Sequence, residues 1–254
     1  TLISFFYIFI FGASNLVGQS VGDYQSAMNG NWSSASTWET WNGSGWVPAV
    51  SSPTGSEHIT VDDTVSVDVA LNITGYLTNT GIGNIEIGTG SLTFGNGSTY
   101  EQARNAGGIP VSIWGTGSTL KVTGTTSTAP ANRNQSFYNI IWNCPGQLSN
   151  LNMGFDEVTI GGDINIVNTG ASNRWYLCGP VGGDSATVTI NGNIIQTGGQ
   201  FSSNGSGNAA FIEITVLGDI TVTAGNFSVS RGSQGSTGTT KWYLHGTNFS
   251  MSAF

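Results

Sequence analysis

The chain has 254 residues, of which 8% are charged, with a formal net charge of −8 from 14 acids and 6 bases. An average soluble domain is about 25% charged. Arg104, Arg133, Arg174 and Arg231 never cluster, so no basic groove can be drawn, which disfavours nucleic acid and anionic membrane surfaces as partners. Glycine accounts for 38 residues without the three-residue period of collagen, and aromatic and β-branched residues are plentiful, which excludes a disordered chain.

Residues 1–19 form an apolar leader that contains the run Leu2 to Phe11. The run resembles the hydrophobic region of a secretory signal and is too short for a stable transmembrane domain. Two readings stand. It is a signal remnant cut near Gly18-Gln19-Ser20, or a retained assembly strand in which Phe5, Phe6, Phe9 and Phe11 meet a neighbouring subunit. Both point to a secreted protein at the cell surface.

Residues 20–57 hold Trp32, Trp38, Trp41 and Trp46, separated by Ser, Asn and Gly in neither a helical nor a strand period. A cap over the end of a stack of strands is the first reading, since such an end must be covered. A sugar-stacking platform is the second, because indoles pack well on apolar faces.

From residue 58 to 254 the pattern is short strands of period two: Ile59-Thr60-Val61, Val65-Ser66-Val67, Leu71-Asn72-Ile73, Ile85-Glu86-Ile87, Leu92-Thr93-Phe94, Val111-Ser112-Ile113 and Leu120-Lys121-Val122. Gly, Asn and Asp corners separate them. Leu71 to Leu92 closes one turn. Residues 125–136 read as a polar loop excursion, and Phe137 to Trp142 as an aromatic strand. Trp175-Tyr176-Leu177 and Trp242-Tyr243-Leu244 open later turns with similar aromatic strands. A phrase then repeats, with Ile160, Ile190 and Val216 in equivalent places, followed by Gly162-Asp163, Gly192-Asn193 and Gly218-Asp219. A strand unit recurring at a near-fixed interval predicts an all-β, right-handed parallel β-helix (β-solenoid) with a Trp-rich N-terminal cap. The phrase running into Phe254 brings no cap of its own, so either the natural chain continues beyond it or the open end is expected to meet another molecule.

Few residues invite chemistry. His58 and His245 lie far apart in sequence, and no G-x-S-x-G, H-E-x-x-H or G-x-G-x-x-G motif occurs in a suitable context. Glu86 alternates with Ile85 and Ile87 and so faces solvent. Asp163 and Asp219 match each other, but Asn193 stands between them; a corner accepts either residue, whereas a catalytic acid does not. Asp62, Asp63 and Asp68 are weak calcium candidates, and Asp156-Glu157 is a second acidic spot; neither follows a known calcium loop. Cys144 and Cys178 form one disulfide or remain two buried thiols. No catalytic residues, cofactor or metal are predicted.

The segment Gly30-Asn31-Trp32, Ser34, Thr37-Trp38, with Val47-Pro48 and repeats from Ile59 onward, resembles secreted and surface proteins of Bacteroidetes and their relatives that carry a G-N-W-x-S-x-x-T-W phrase. The resemblance covers most of the chain after residue 20. It implies parallel β-helical, adhesin-like or surface-layer-like modules, and brings no common catalytic residues. The expected role is a structural subunit of an extracellular filament or surface coat, self-associating head to tail. A carbohydrate-binding module is the alternative, and a polysaccharide-degrading enzyme ranks third. Assembly or glycan contact would fall to the leader phenylalanines and to Trp32, Trp38, Trp41, Trp46, Trp142, Trp175 and Trp242, with Tyr100 as a further aromatic on an open groove.

Overall fold

The computed structural model describes residues 18–179, 185–205, 211–230 and 238–252. Phe5, Phe6, Phe9 and Phe11 lie outside them. The fold is all-β with mixed parallel and antiparallel sheets; one 3-10 turn, Ala35–Thr37, is the sole helical element among the described residues.

Period-two alternation sets the architecture. In His58–Val61, Thr64–Val67 and Ala70–Ile73 every second residue (Ile59, Val61, Val65, Val67, Leu71, Ile73) is buried, and the residues between them face outward. Three such strands make one circuit of the chain. The next circuit, Tyr76–Asn79, Asn84–Ile87 and Ser91–Phe94, lies on the first in parallel register, with Leu92 opposite Leu71.

One long sheet runs the length of the molecule. Its twelve strands, in spatial order, are Trp46–Pro48, Trp38–Trp41, Tyr24–Ser26, His58–Val61, Tyr76–Asn79, Thr99–Gln102, Thr119–Val122, Asn139–Asn143, Ile164–Asn168, Ile194–Gln196, Ile220–Val222 and Phe249–Met251. The first two joins are antiparallel and the others parallel. Two three-stranded sheets complete the early circuits, and two four-stranded sheets complete the later ones. Residues 125–136, where the loop excursion is expected, contain no named strand; Ala131 bridges Gly108 of the preceding circuit, and Thr125 and Pro130 are buried.

The core is one continuous cluster threaded by aromatic rings. Phe94 stacks on Trp114 at 4.4 Å, and Trp114 meets Phe137 at 4.8 Å. Further along, Trp142 stacks on Trp175 at 5.1 Å, followed by Phe201, Phe227 and Trp242. Trp175 and Trp242 are nevertheless not equivalent. Trp175 pairs with Phe201 in one four-stranded sheet, whereas Trp242 pairs with Ile214 in the other. The similar Trp-Tyr-Leu triplets concealed this difference.

The glycines of the repeated phrase form a column. The Gly192 amide donates to the Gly162 carbonyl at 3.1 Å, and the Gly218 amide to Gly192 at 3.1 Å. Backbones of successive circuits approach so closely there that a Cβ on Gly192 would lie 2.4 Å from the Gly162 carbonyl carbon, and one on Gly218 2.5 Å from the Gly192 oxygen. Gly192→Ala should therefore cost about 1–3 kcal/mol through overpacking. Gly45→Ala, which meets nothing within 4 Å, should stay within about 0.5 kcal/mol. Urea unfolding of the two variants measures the difference; equal stabilities would remove close backbone approach as the reason for the glycine column.

Candidate functional site

The largest gathering of polar chemistry lies on the outward face of the long sheet, in its N-terminal half. Parallel register places His58 beside Tyr76, Thr60 beside Thr78, Thr78 beside Glu101, and Glu101 beside Lys121. Because alternate residues share a face, these side chains stack outward from consecutive strands. The Tyr76 hydroxyl donates a short hydrogen bond to Glu101. The Lys121 ammonium donates to the Tyr76 hydroxyl at 3.0 Å and to Glu101 Oε2 at 3.3 Å, and the Thr123 hydroxyl donates to Glu101 Oε1 at 2.7 Å. Burial, followed by the adjacent Glu101 carboxylate, raises the Tyr76 pKa, so the phenol stays protonated. His58 meets the Tyr76 ring edge-on at 4.9 Å. The cluster is internally paired, with a carboxylate and an ammonium that neutralise each other.

At its N-terminal end this face opens into a groove of about 180 Å3 lined by Gln19, Asp23, Tyr24, Gln25, Trp46, His58 and Thr60. The antiparallel hairpin Trp38–Trp41 and Trp46–Pro48 forms one wall. Trp41 lies opposite Trp46 with ring centroids 5.5 Å apart and planes at 65°. Gln25 reaches across the sheet and donates to Glu39 at 2.8 Å.

The predicted contact tryptophans separate into two groups. Trp32 and Trp38 are 1% exposed, and Trp142 and Trp175 are 0% exposed. The Trp32 indole donates to the Pro53 carbonyl at 3.0 Å, Trp38 to the Trp32 carbonyl at 2.8 Å, and Trp142 to Gln147 at 2.9 Å. These four are core residues and offer no face to a glycan: strand alternation turns Trp38, Trp142 and Trp175 inward, and the turn after Gly30–Asn31 does the same for Trp32. Tyr100 is likewise fully buried, hydrogen-bonded to Gln102 at 2.6 Å. Trp41, Trp46 and Trp242 remain partly exposed.

Of the two readings for Cys144 and Cys178, the structure has the second: both are free and buried, and no disulfide joins them. Burial pushes each thiol up to about 12. Of the acidic candidates, Asp62 and Asp68 serve as corner acceptors. Asp62 Oδ1 accepts from the Ile82 amide at 3.0 Å. Asp68 accepts from the Ser33 amide at 3.0 Å and from the Ser33 hydroxyl at 2.5 Å, a tie between the tryptophan segment and the first circuit. The Ser33 hydroxyl, as the largest cause, holds the Asp68 carboxyl below its ordinary 3.8. A depressed carboxyl stabilises the fold above that value and loses its contribution as pH falls through the lowered one. No group of three or more His, Cys, Asp or Glu side chains suited to a metal ion occurs among the described residues.

Asp163, Asn193 and Asp219 belong to a longer ladder. Asn139 Oδ1 accepts from the Asp163 amide at 2.9 Å, Asp163 Oδ1 from the Asn193 amide at 2.7 Å, and Asn193 Oδ1 from the Asp219 amide at 2.8 Å. Asp219 Oδ1 continues it to the amides of Thr247 and Asn248. Asn139 and Asn248 escaped sequence reasoning, since neither follows the Gly-Asp or Gly-Asn step directly. The Glu101–Lys121 pair was also missed. Its only signal is the shared third position of two four-residue strands in neighbouring circuits, and the circuits vary in length.

Compared with family models, curated proteins and solved structures, the chain matches none.

Two measurements follow from the corners and the core. Asp163→Asn should change stability by less than about 0.5 kcal/mol, whereas Asp163→Ala should cost about 1–3 kcal/mol by leaving a corner amide without its acceptor. A large loss in the Asn variant would mean that the carboxylate's charge matters there. Neither cysteine should react with a thiol reagent at pH 8 until the chain is unfolded in guanidinium; rapid labelling of the native chain would contradict a closed core.

Proposed function

We propose that the chain is a right-handed parallel β-solenoid with a structural rather than catalytic role, a subunit of an extracellular fibre or cell-surface coat that adds layers head to tail. One observation carries the reading: circuits stack in parallel register over one continuous core, so that each layer presents strand edges on which another can be laid. The N-terminal end is covered by the buried indoles of Trp32 and Trp38, and its outermost strand is short and contains Pro48. In the last described circuit, Leu244, Phe249 and Met251 are each 49% exposed, while their partners one circuit earlier (Val216, Ile220, Val222) are 0–2% exposed. Between Ile220, Leu244 and Phe249 lies a recess of about 220 Å3. Strand edges with apolar side chains accept a further layer, whether it comes from the same chain or from a second copy.

Strand direction supports a head-to-tail join. Two antiparallel steps separate Trp46–Pro48 from Tyr24–Ser26, so Trp46–Pro48 runs parallel to Phe249–Met251. A copy placed with its hairpin against the last strand continues the parallel run, and a heterologous join of this kind does not close on itself. The low charge lets such faces meet with little repulsion. Resemblance of the tryptophan segment to surface proteins favours the extracellular setting, and crossover preference favours right-handedness.

Light scattering and electron microscopy of the 254-residue chain should reveal elongated species that grow with concentration. The Phe249→Lys/Met251→Lys variant should lose them while keeping its β circular dichroism. A monodisperse wild-type chain across the whole concentration range would sink the assembly reading.

A further inference from the structure

We propose that the groove between the N-terminal hairpin and the outward face of the long sheet binds a neutral polysaccharide. The first support is the sorting of the indoles. Trp32 and Trp38 are sealed in the interior, whereas Trp41 and Trp46 keep part of their surface at the groove end of the sheet. Trp41 braces Trp46 edge-on at 5.5 Å, which fixes the Trp46 ring before anything binds. A rigid, half-exposed aromatic ring is a ready platform for the apolar face of a pyranose, with little side-chain entropy left to lose.

The second support is the polar lining. Asp23 offers acceptors, and Gln25, His58 and Thr60 each offer donor and acceptor capacity within one groove. A sugar presents alternating hydroxyl donors and acceptors, which this mixture suits. Beyond His58 the rim continues through Tyr76 to the Glu101–Lys121 pair, which adds hydrogen-bonding groups without net charge.

Charge selects among glycans. Asp23 is the one charged residue lining the groove, Glu39 stands beside Gln25, and the whole chain carries −8. Uronates and sulfated sugars are repelled from such a site, while a neutral chain is not. The occupant is therefore a neutral polysaccharide, held by stacking and hydrogen bonds. This goes beyond the structural reading; because the same hairpin would form the head-to-tail join, the groove is tested on the monomer.

The test uses the full chain, diluted to the concentration at which it sediments as a monomer. Xylohexaose, cellohexaose, laminarihexaose and mannohexaose are titrated by calorimetry and tryptophan fluorescence, with oligogalacturonate as the acidic control. At least one neutral hexasaccharide should bind saturably, and oligogalacturonate should not. Trp46→Ala should weaken binding roughly tenfold, the scale of about one lost stacking contact. Trp46→Phe, which keeps an aromatic face, should retain most of it. His58→Ala should weaken binding by a few fold, with an unchanged melting temperature. Binding of oligogalacturonate alone, no binding of any neutral sugar at millimolar concentration, or binding indifferent to Trp46→Ala would each overturn the proposal. So would a sugar-insensitive groove whose Trp46→Ala variant changes only the sedimentation of the chain, since a second copy would then be its occupant.

Discussion

Everything in this molecule depends on parallel register between successive circuits. When a strand lies on its counterpart at the usual spacing of about 4.8 Å, each outward or inward side chain sits directly over the equivalent one in the next layer. Like stacks on like, with opposite consequences for different residue types. Rings gain from it: Trp142, Trp175, Phe201, Phe227 and Trp242 form a run of neighbouring aromatics through the later circuits. Charges do not. A column of carboxylates would repel itself at every layer, so a chain folded this way tolerates few charged residues and alternates those it keeps. Glu101 lies beside Lys121, Glu213 beside Lys241, and the corner ladder runs Asn139, Asp163, Asn193, Asp219, Asn248. The 8% charge content is thus a consequence of stacking as much as a clue to location.

Corners are the second consequence. Where a strand stops, its amide leaves the ladder and must find another acceptor. Side chains of the preceding circuit supply it again and again. Ser26 serves Asp62 and Asp63, Asn29 serves Thr64, Asn105 serves three consecutive amides at 126–128, and Thr169 serves Gln200. These short polar residues give the sequence its abundance of Asn, Ser and Thr. Asp62 and Asp68, two weak calcium candidates of the sequence, serve the same way as acceptors for the amides of Ile82 and Ser33.

Much of the strand pattern was legible because burial alternates so regularly. Ile59 to Val61, Val65 to Val67, Leu71 to Ile73, Leu92 to Phe94 and Leu120 to Val122 all fall in strands, and Val158 to Ile160 pairs with Val188 to Ile190 in the expected register. The strands Tyr76–Asn79 and Thr99–Gln102 were not legible, since Asn79 and Gln102 occupy inward positions that an apolar pattern does not flag. A buried network of Asn79, Tyr100 and Gln102 makes those positions acceptable. The candidate site was harder still. Its members come from strands of consecutive circuits, and matched residues are separated by 18 positions between His58 and Tyr76 but 30 between Ile164 and Ile194. With no fixed period, sequence spacing cannot say that Glu101 and Lys121 meet.

The tryptophan segment sends indoles both into the core and onto the outward face of the sheet. Along the strand Trp38–Trp41 neighbouring residues point to opposite faces, so Trp38 goes to the core while Trp41, with Trp46 opposite it, goes to the surface; the turn after Gly30–Asn31 sends Trp32 inward. Trp32 and Trp38 take the inward places and close the end of the core, each indole donating to a backbone carbonyl. Trp41 and Trp46, paired across the hairpin, take outward places on the sheet that the core-facing pair supports. A cap and an exposed aromatic platform are therefore not competing descriptions of residues 20–57. The cap fixes the hairpin, the hairpin fixes the platform, and the long sheet extends the same outward face through His58 and Tyr76 to Glu101 and Lys121. That outward face needs no loop of its own; it is built from the rigid strands that also hold the stack together.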